Sequence, residues 1–176
     1  MKWLGCELHE TGAGSFAAAV DDRRDDAEHI RINDEEVVNT VMSGMRYLAR
    51  HARDRAAAGG SATVRATLFP VTEALPAELV HDRQYGMTGP LGRQHLTTAP
   101  VATGVYNVDD LAEDGPALLS ATYFLATGLF QAFGQPEALQ VTAAGALRTQ
   151  YWGHRYAARV KQWAEAANVE ISDEKV

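Results

Sequence analysis

The chain has 176 residues, 46% of them apolar, and a net charge of −7, which together indicate one folded domain with its own core. The single cysteine, Cys6, excludes a disulfide framework and a cysteine-based zinc site, and it is typical of a cytoplasmic protein. The acidic balance argues against nucleic acid as the main partner.

The N-terminal segment predicts a β-hairpin, because apolar residues alternate with period two on both sides of "TGAGS". The two strand faces are Leu4, Cys6 and Leu8, and Phe16, Ala18 and Val20. Gly12, Gly14 and Ala17 also spell G-x-G-x-x-A, but a dinucleotide loop needs a helix after the glycines and then a second strand. Here strand alternation resumes and the acidic run "DDRRDD" follows. We therefore expect a turn over Gly12–Ser15 and no nucleotide cofactor. Cys6 is expected in the core.

The first helix is expected to begin after Asn33, which forms an N-x-x-E capping pattern with Glu36. Acidic residues occupy its first turn and arginines its last turn, an arrangement that the helix dipole favours. Its apolar face consists of Val37, Val38, Val41, Met42, Met45, Leu48, Ala49 and Ala52.

One stripe of this helix carries Arg46, Arg50 and Arg53. Such a stripe could bind phosphate groups or an acidic partner. The alternative is a solvated flank, since arginine is favoured near the C-terminus of any helix.

Three strands are predicted next, over 62–71, 78–86 and 93–108, and the third is expected to be interrupted and kinked at Pro100. The segment "GMTGPLG" between the last two is expected to be a loop. His81 and Asp82 are adjacent, so in a strand they point to opposite faces and do not form a pair. The six histidines show no metal-ligand spacing, and no metal site or other cofactor is predicted.

A second helix is predicted from about Pro116 to Phe133, with Gly134 ending it. It has no charged residue and a broad apolar face, so we expect it to be covered on two sides, by the hairpin or by a second subunit. The charge-free run 115–136 is too polar and too broken to predict a membrane span. No membrane association is expected.

The C-terminal part predicts a hairpin in "LQVTAAGALRTQYW", with its turn at Ala143–Gly145, and a helix from about His154 to Ala167. Residues 172–176 are expected to form a solvated tail. The chain is thus interpreted as one domain, 1–176, whose residues 1–32 form the hairpin and an acidic loop.

A basic group surrounds an aromatic pair in "RTQYWGHRY". The candidate binding residues are Arg148, Trp152, His154 and Arg155. If this surface binds a partner, Trp152 should be exposed and the cations should have no neutralising carboxylates. The alternative is that Trp152 covers a sheet edge and has a structural role.

These elements predict an α+β fold: a mainly antiparallel sheet with three helices packed on it and an N-terminal hairpin. The order α-β-β-β-α-β-β-α resembles that of type III secretion chaperones and YbjN-like proteins. The stretches "INDEEVVNTVMSGMRYLARHARD" and "LFQAFGQPEALQVTAAGALRTQYW" resemble a domain of actinobacterial proteins that carry a Schlafen/AlbA-type DNA-binding domain. Both resemblances imply a binding or regulatory module.

No catalytic residues are predicted, because the sequence has neither a G-x-S-x-G elbow nor two acids placed for acid–base chemistry. The favoured interpretation is a non-catalytic cytoplasmic interaction or chaperone-like module that binds a protein partner, with a homodimer possible. The alternative is a small enzyme or ligand-binding protein with a pocket near Trp152, His154 and Arg155.

Overall fold

The structure is a computed structural model that describes residues 4–22, 28–69, 75–83, 87–96 and 98–175. Within them the α+β class is confirmed, with helices packed against small, mostly antiparallel sheets. The strands are β1 (Leu4–Leu8), β2 (Gly14–Ala18), β3 (Asp21–Asp22), β4 (Ile30–Asn33), β5 (Ser61–Thr67), β6 (Ala77–Arg83), β7 (Met87–Gln94) and β8 (Val101–Asn107). The helices are α1 (Asp34–Ala56), α2 (Val108–Ala112), α3 (Pro116–Phe130) and α4 (His154–Ala166).

The predicted N-terminal hairpin is confirmed. β1 and β2 pair antiparallel, and the turn between them places Gly12 at a φ of +86°, a region that glycine enters without steric cost. The expected burial of the β1 face is wrong, since Leu4 is 64% exposed and Leu8 and Cys6 are also exposed. Only β2 contacts α1 closely, and β1 extends beyond this support.

Helix α1 begins where the capping pattern predicts. The side chain of Asn33 accepts a hydrogen bond from the backbone N–H of Glu36 at 3.2 Å, and Ala57 ends the helix in the left-handed conformation. Gly44 lets the hairpin approach closely, because a Cβ there would lie 2.8 Å from the ring of Phe16. The predicted apolar face packs into the core, with Val41 and Leu48 half-buried.

The largest sheet has the strand order β3-β4-β6-β7, with β4 and β6 parallel and the other pairs antiparallel. The expected "GMTGPLG" loop is wrong, because residues from Met87 onward form β7. Pro90 is tolerated there because β7 lies at the sheet edge and the pairing shifts register opposite Leu79 and Val80. Part of the predicted acidic loop, 23–27, and the end of the first predicted strand, 70–71, lie outside the described residues.

Helix α3 lies at the centre of the molecule, as its charge-free sequence predicts. Leu118, Leu119 and Leu125 are at most 1% exposed, and a 3₁₀ turn over Gln131–Phe133 continues the helix to Gly134. By length and composition alone, Pro116–Phe133 could cross a membrane, but 56% of it is buried inside the fold. Within the chain, the cover comes from α1, β5, β8 and α2.

The predicted C-terminal hairpin forms only its turn. Gly145 adopts a φ of +83° and a single bridge joins Val141 to Leu147, after which a 3₁₀ turn covers Thr149–Tyr151. The expected solvated tail is also wrong in part, because Ser172 donates its backbone N–H to Leu147 at 2.8 Å. The last helix is confirmed as α4.

Candidate functional site

Three acids at the start of α1 are buried together, although the sequence indicated only a dipole-compensating first turn. Asp34 is fully buried and accepts a hydrogen bond from the side-chain amide of Gln140 at 2.5 Å. The Nδ1 atom of His81, on β6, lies 2.9 Å from the same carboxylate oxygen. Burial of a carboxylate is costly unless such partners surround it. The start of α1 is therefore a polar centre inside the molecule.

The neighbouring acids connect this centre to the start of α4. Glu35 is 1% exposed and accepts the backbone N–H of Gly153 at 2.8 Å. Glu36 is 7% exposed and pairs with the guanidinium of Arg155 at 2.9 Å. Segments that are far apart in the sequence meet here, which makes the cluster a junction between α1, β6 and α4.

Trp152 covers this junction from inside and is not an exposed anchor. Its side chain is 2% exposed, and its Nε1 donates to the backbone carbonyl of Gln140 at 3.2 Å. Its ring also lies 6.0 Å from that of Tyr156. The exposure of Trp152 that a binding surface would require is therefore not found, and the burial agrees with the alternative of a structural role.

The expected unneutralised cations around Trp152 are not found either. Arg148 is 4% exposed and bonds Glu137 at 3.2 Å and Glu174 at 3.0 Å. Burial alone would lower the pKa of Arg148, but the hydrogen bonds to the two glutamates outweigh it and raise the pKa. Arg155 forms an ion pair with Glu36, and His154 is exposed at the first position of α4. Arg148 and Arg155 are thus both paired with acids of the chain.

The arginine stripe of α1 is also paired with acids. Arg46 and Arg50 both bond Asp114, at 2.6 and 3.2 Å. Arg53 bonds Asp54 and Glu113, and these hydrogen bonds raise the pKa of Arg53. The stripe therefore attaches α1 to the loop after α2, and its charges are largely neutralised within the chain.

A partly open apolar groove of about 1090 Å³ lies on another side of the molecule. Its floor includes Val41, Met45 and Leu48 of α1 and Leu125 and Leu129 of α3. Arg65 is the one charged residue among the described residues that line it. We call this feature the β2–β5 groove, after the strands on its two sides.

The two sides of the β2–β5 groove are strand edges. Consecutive residues line it on each side: 14–20, which are β2 and the two residues after it, and 64–69, which are the end of β5 and the two residues after it. Beyond β2, the carbonyl of Val20 accepts the backbone N–H of Asn33. A run of consecutive residues exposes a backbone edge, because side chains of one sheet face occur only at every second position. Within the described ranges β2 pairs only with β1, and β5 pairs only with β8. Two unpaired strand edges thus flank an apolar floor.

The sequence interpretation missed both features. The Asp34–His81 pair joins residues 47 positions apart and the Gln140 contact spans 106 positions, so no local spacing could reveal them. The groove arises from how two separate strand pairs pack on α1 and α3. The one available signal was the run of three acids, which a capping function already explained.

No protein-family model, curated protein or solved structure matches this chain.

Proposed function

We propose that this chain is a non-catalytic cytoplasmic binding module that accepts an extended polypeptide segment in the β2–β5 groove. The observation that carries the proposal is the pair of unpaired strand edges over an apolar floor. A strand placed between such edges can bond its backbone to one or both of them. The basic surfaces expected from the sequence do not support binding equally well, because their charges are paired within the chain.

The dimensions of the groove set the size of the segment. Six consecutive residues line it along β5, which corresponds to roughly 20 Å of extended chain at about 3.3 Å per residue. A bound strand would place alternate side chains on the floor formed by Val41, Met45 and Leu48. Since the floor is apolar, we expect aliphatic residues at these positions. The other face of the strand would point to solvent and could be polar.

A small apolar molecule is the second candidate ligand, and the volume of the groove favours it. About 1090 Å³ is slightly more than the roughly 300–1000 Å³ of typical small-molecule pockets, so the groove has room for such a ligand. The alternative function of ligand binding, which the sequence indicated near Trp152, His154 and Arg155, is therefore proposed at the β2–β5 groove instead. The two candidates differ in one measurable respect, since only a polypeptide strand needs backbone N–H groups to bind.

The test uses a synthetic peptide of about seven residues in which Val and Thr alternate, a length that matches the groove. A second peptide has the same sequence but carries N-methyl groups on alternate amides. We expect the first peptide to bind and to protect amides within 14–20 or 64–69 from hydrogen exchange. The methylated peptide should bind at least about tenfold more weakly, a difference of about 1.4 kcal/mol. Equal affinities would contradict strand addition and favour the small-molecule candidate.

A matched pair of variants locates the binding surface. Val41→Lys places a charge on the half-buried groove floor, whereas Val105→Lys makes the same change on β8, where Val105 is 67% exposed and outside the groove. We expect only Val41→Lys to lose peptide binding while circular dichroism shows both variants folded. Light scattering on the unliganded protein tests whether a second copy supplies the strand. A dimer that Val41→Lys dissociates would identify this chain as its own partner.

A further inference from the structure

We propose that Asp34, Glu35, His81 and Gln140 bind one divalent transition-metal cation, with Zn²⁺ the best match to their donor atoms. Asp34, Glu35 and His81 each place a ligand atom within 4.8 Å of the others. Their side chains come from the start of α1 and from β6. This site would be separate from the β2–β5 groove and independent of peptide binding.

Gln140 provides an independent observation for this site. Its side chain is fully buried, and its Oε1 atom has no hydrogen-bond partner among the described residues. Its Nε2 atom already lies 2.5 Å from Asp34, so the amide is placed at the carboxylate cluster. A buried amide oxygen without a partner is costly and calls for an explanation.

A cation at the carboxylate cluster would give this oxygen a partner. In the observed orientation Nε2 donates to Asp34. A half-turn of the amide would direct Oε1 toward Asp34 and place Nε2 in the position that Oε1 leaves. Without a cation that arrangement is unfavourable, because two acceptor atoms would face each other. With a cation between them, both oxygens become ligands. The amide can therefore serve two states, bonding Asp34 in one and the metal in the other.

The donor distances are close to those that zinc requires. Zinc–ligand bonds of about 2.0–2.2 Å place tetrahedral ligand atoms roughly 3.3–3.6 Å apart. The Nδ1 atom of His81 is 3.2 Å from the Oδ1 atom of Asp34. The ligand atoms of Asp34, Glu35 and His81 lie within 4.8 Å of one another, so reaching the zinc spacing requires these separations to shorten by about 1.5 Å at most.

The chemistry of the donors narrows the choice of metal. Imidazole favours zinc and its neighbours, whereas Mg²⁺ prefers oxygen ligands and keeps several waters. Asp34 and Glu35 are at most 1% exposed, which leaves little room for bound water. A closed site with four protein ligands is typical of structural zinc. The cation would therefore join α1, β6 and the loop that carries Gln140.

The first experiment treats the full-length protein with a chelator and titrates it with Zn²⁺, Mn²⁺ and Mg²⁺ by calorimetry. We expect one Zn²⁺ per chain, a higher melting temperature with Zn²⁺, and little response to Mg²⁺. His81→Ala should weaken Zn²⁺ binding at least about 100-fold, because it removes a direct ligand. A wild-type protein without saturable Zn²⁺ binding would overturn the proposal.

A matched control uses a second histidine–carboxylate pair among the described residues. The Nε2 atom of the half-buried His29 lies 2.7 Å from the buried carboxylate of Glu78. His29→Ala removes that pair and leaves the proposed ligands unchanged, so its Zn²⁺ affinity should match that of the wild type. If His29→Ala and His81→Ala weaken Zn²⁺ equally, or neither does, the proposed ligand set is wrong.

A gain-of-binding variant separates a metal site from a purely structural cluster. Gln140→Glu adds a further buried carboxylate beside Asp34 and Glu35, and the metal-free protein should melt at a lower temperature. With a metal site, Zn²⁺ should restore the melting temperature and bind more tightly than to the wild type. Destabilisation that Zn²⁺ does not reverse would count against the site. If this variant does not fold, the comparison of wild type with His81→Ala still decides the question.

Discussion

Truncating Trp152 tests most directly whether the aromatic–basic segment "RTQYWGHRY" is part of the core or a binding surface. The side chain is 2% exposed and its Nε1 bonds the carbonyl of Gln140 at 3.2 Å. Trp152→Ala therefore creates a cavity and removes one of the two donors to the carbonyl of Gln140, leaving the backbone N–H of Arg148 at 2.9 Å. Replacing a buried Trp by Ala costs about 3–5 kcal/mol.

This cost converts into a measurable shift. For a chain of this size, about 1 kcal/mol lowers the melting temperature by roughly 2–4 °C, so Trp152→Ala should lower it by about 10 °C. Trp152→Phe keeps most of the ring and loses the donor, and we expect about 1–2 kcal/mol of destabilisation. Calorimetry with a parallel circular dichroism melt checks both values and the two-state assumption.

Phe124 provides the control, because it is an aromatic residue of α3 that is 55% exposed. Phe124→Ala should change stability by less than about 1 kcal/mol. A Trp152→Ala protein that melts within about 3 °C of the wild type, where each 1 kcal/mol corresponds to about 2–4 °C, would refute the assignment of Trp152 to the core. The peptide-binding surface would then have to be sought around Trp152 and Arg155.

Two further predictions concern a turn and an ion-pair centre. Gly145 and Gly134 both have positive φ, but a Cβ at Gly145 would lie 2.0 Å from a backbone oxygen and one at Gly134 meets nothing within 4 Å. Gly145→Ala should thus lower the free energy of unfolding by at least about 2 kcal/mol more than Gly134→Ala, for which we expect only the loss of about 1 kcal/mol that a left-handed backbone imposes on alanine. Urea unfolding measures both losses. Equal losses would contradict the close approach at Gly145. Burial alone would raise the pKa of Asp114, but hydrogen bonds from Arg46 and Trp163 hold it below its usual value. Its ion pairs should therefore stabilise the fold above roughly pH 4 and lose this effect as the pH falls further. The unfolding free energy of the wild type should exceed that of Asp114→Asn by about 1 kcal/mol at neutral pH, and this difference should shrink in acid. A difference that stays constant down to a pH of about 3 would argue against this role.

The sequence by itself determined the local elements. The Asn33 cap, the apolar face of α1 and the turn at Gly12 all follow from patterns within one or two helical turns or one hairpin. The absence of charge from Pro116 to Phe133 predicted that α3 is covered on two sides, and it left open which elements provide the cover. Local propensity and periodicity report which side of an element is apolar.

Only the tertiary structure decided which elements those sides meet. Trp152 and Leu4 of β1 are both large apolar side chains, yet Trp152 is buried and Leu4 is exposed. The difference arises because α4 packs over Trp152, whereas none of the described residues covers Leu4. The neighbours of Asp34 come from positions 47 and 106 residues away. Contacts between residues so far apart depend on the topology of the chain, which a local sequence pattern does not specify. The polar centre and the β2–β5 groove are both products of that long-range packing.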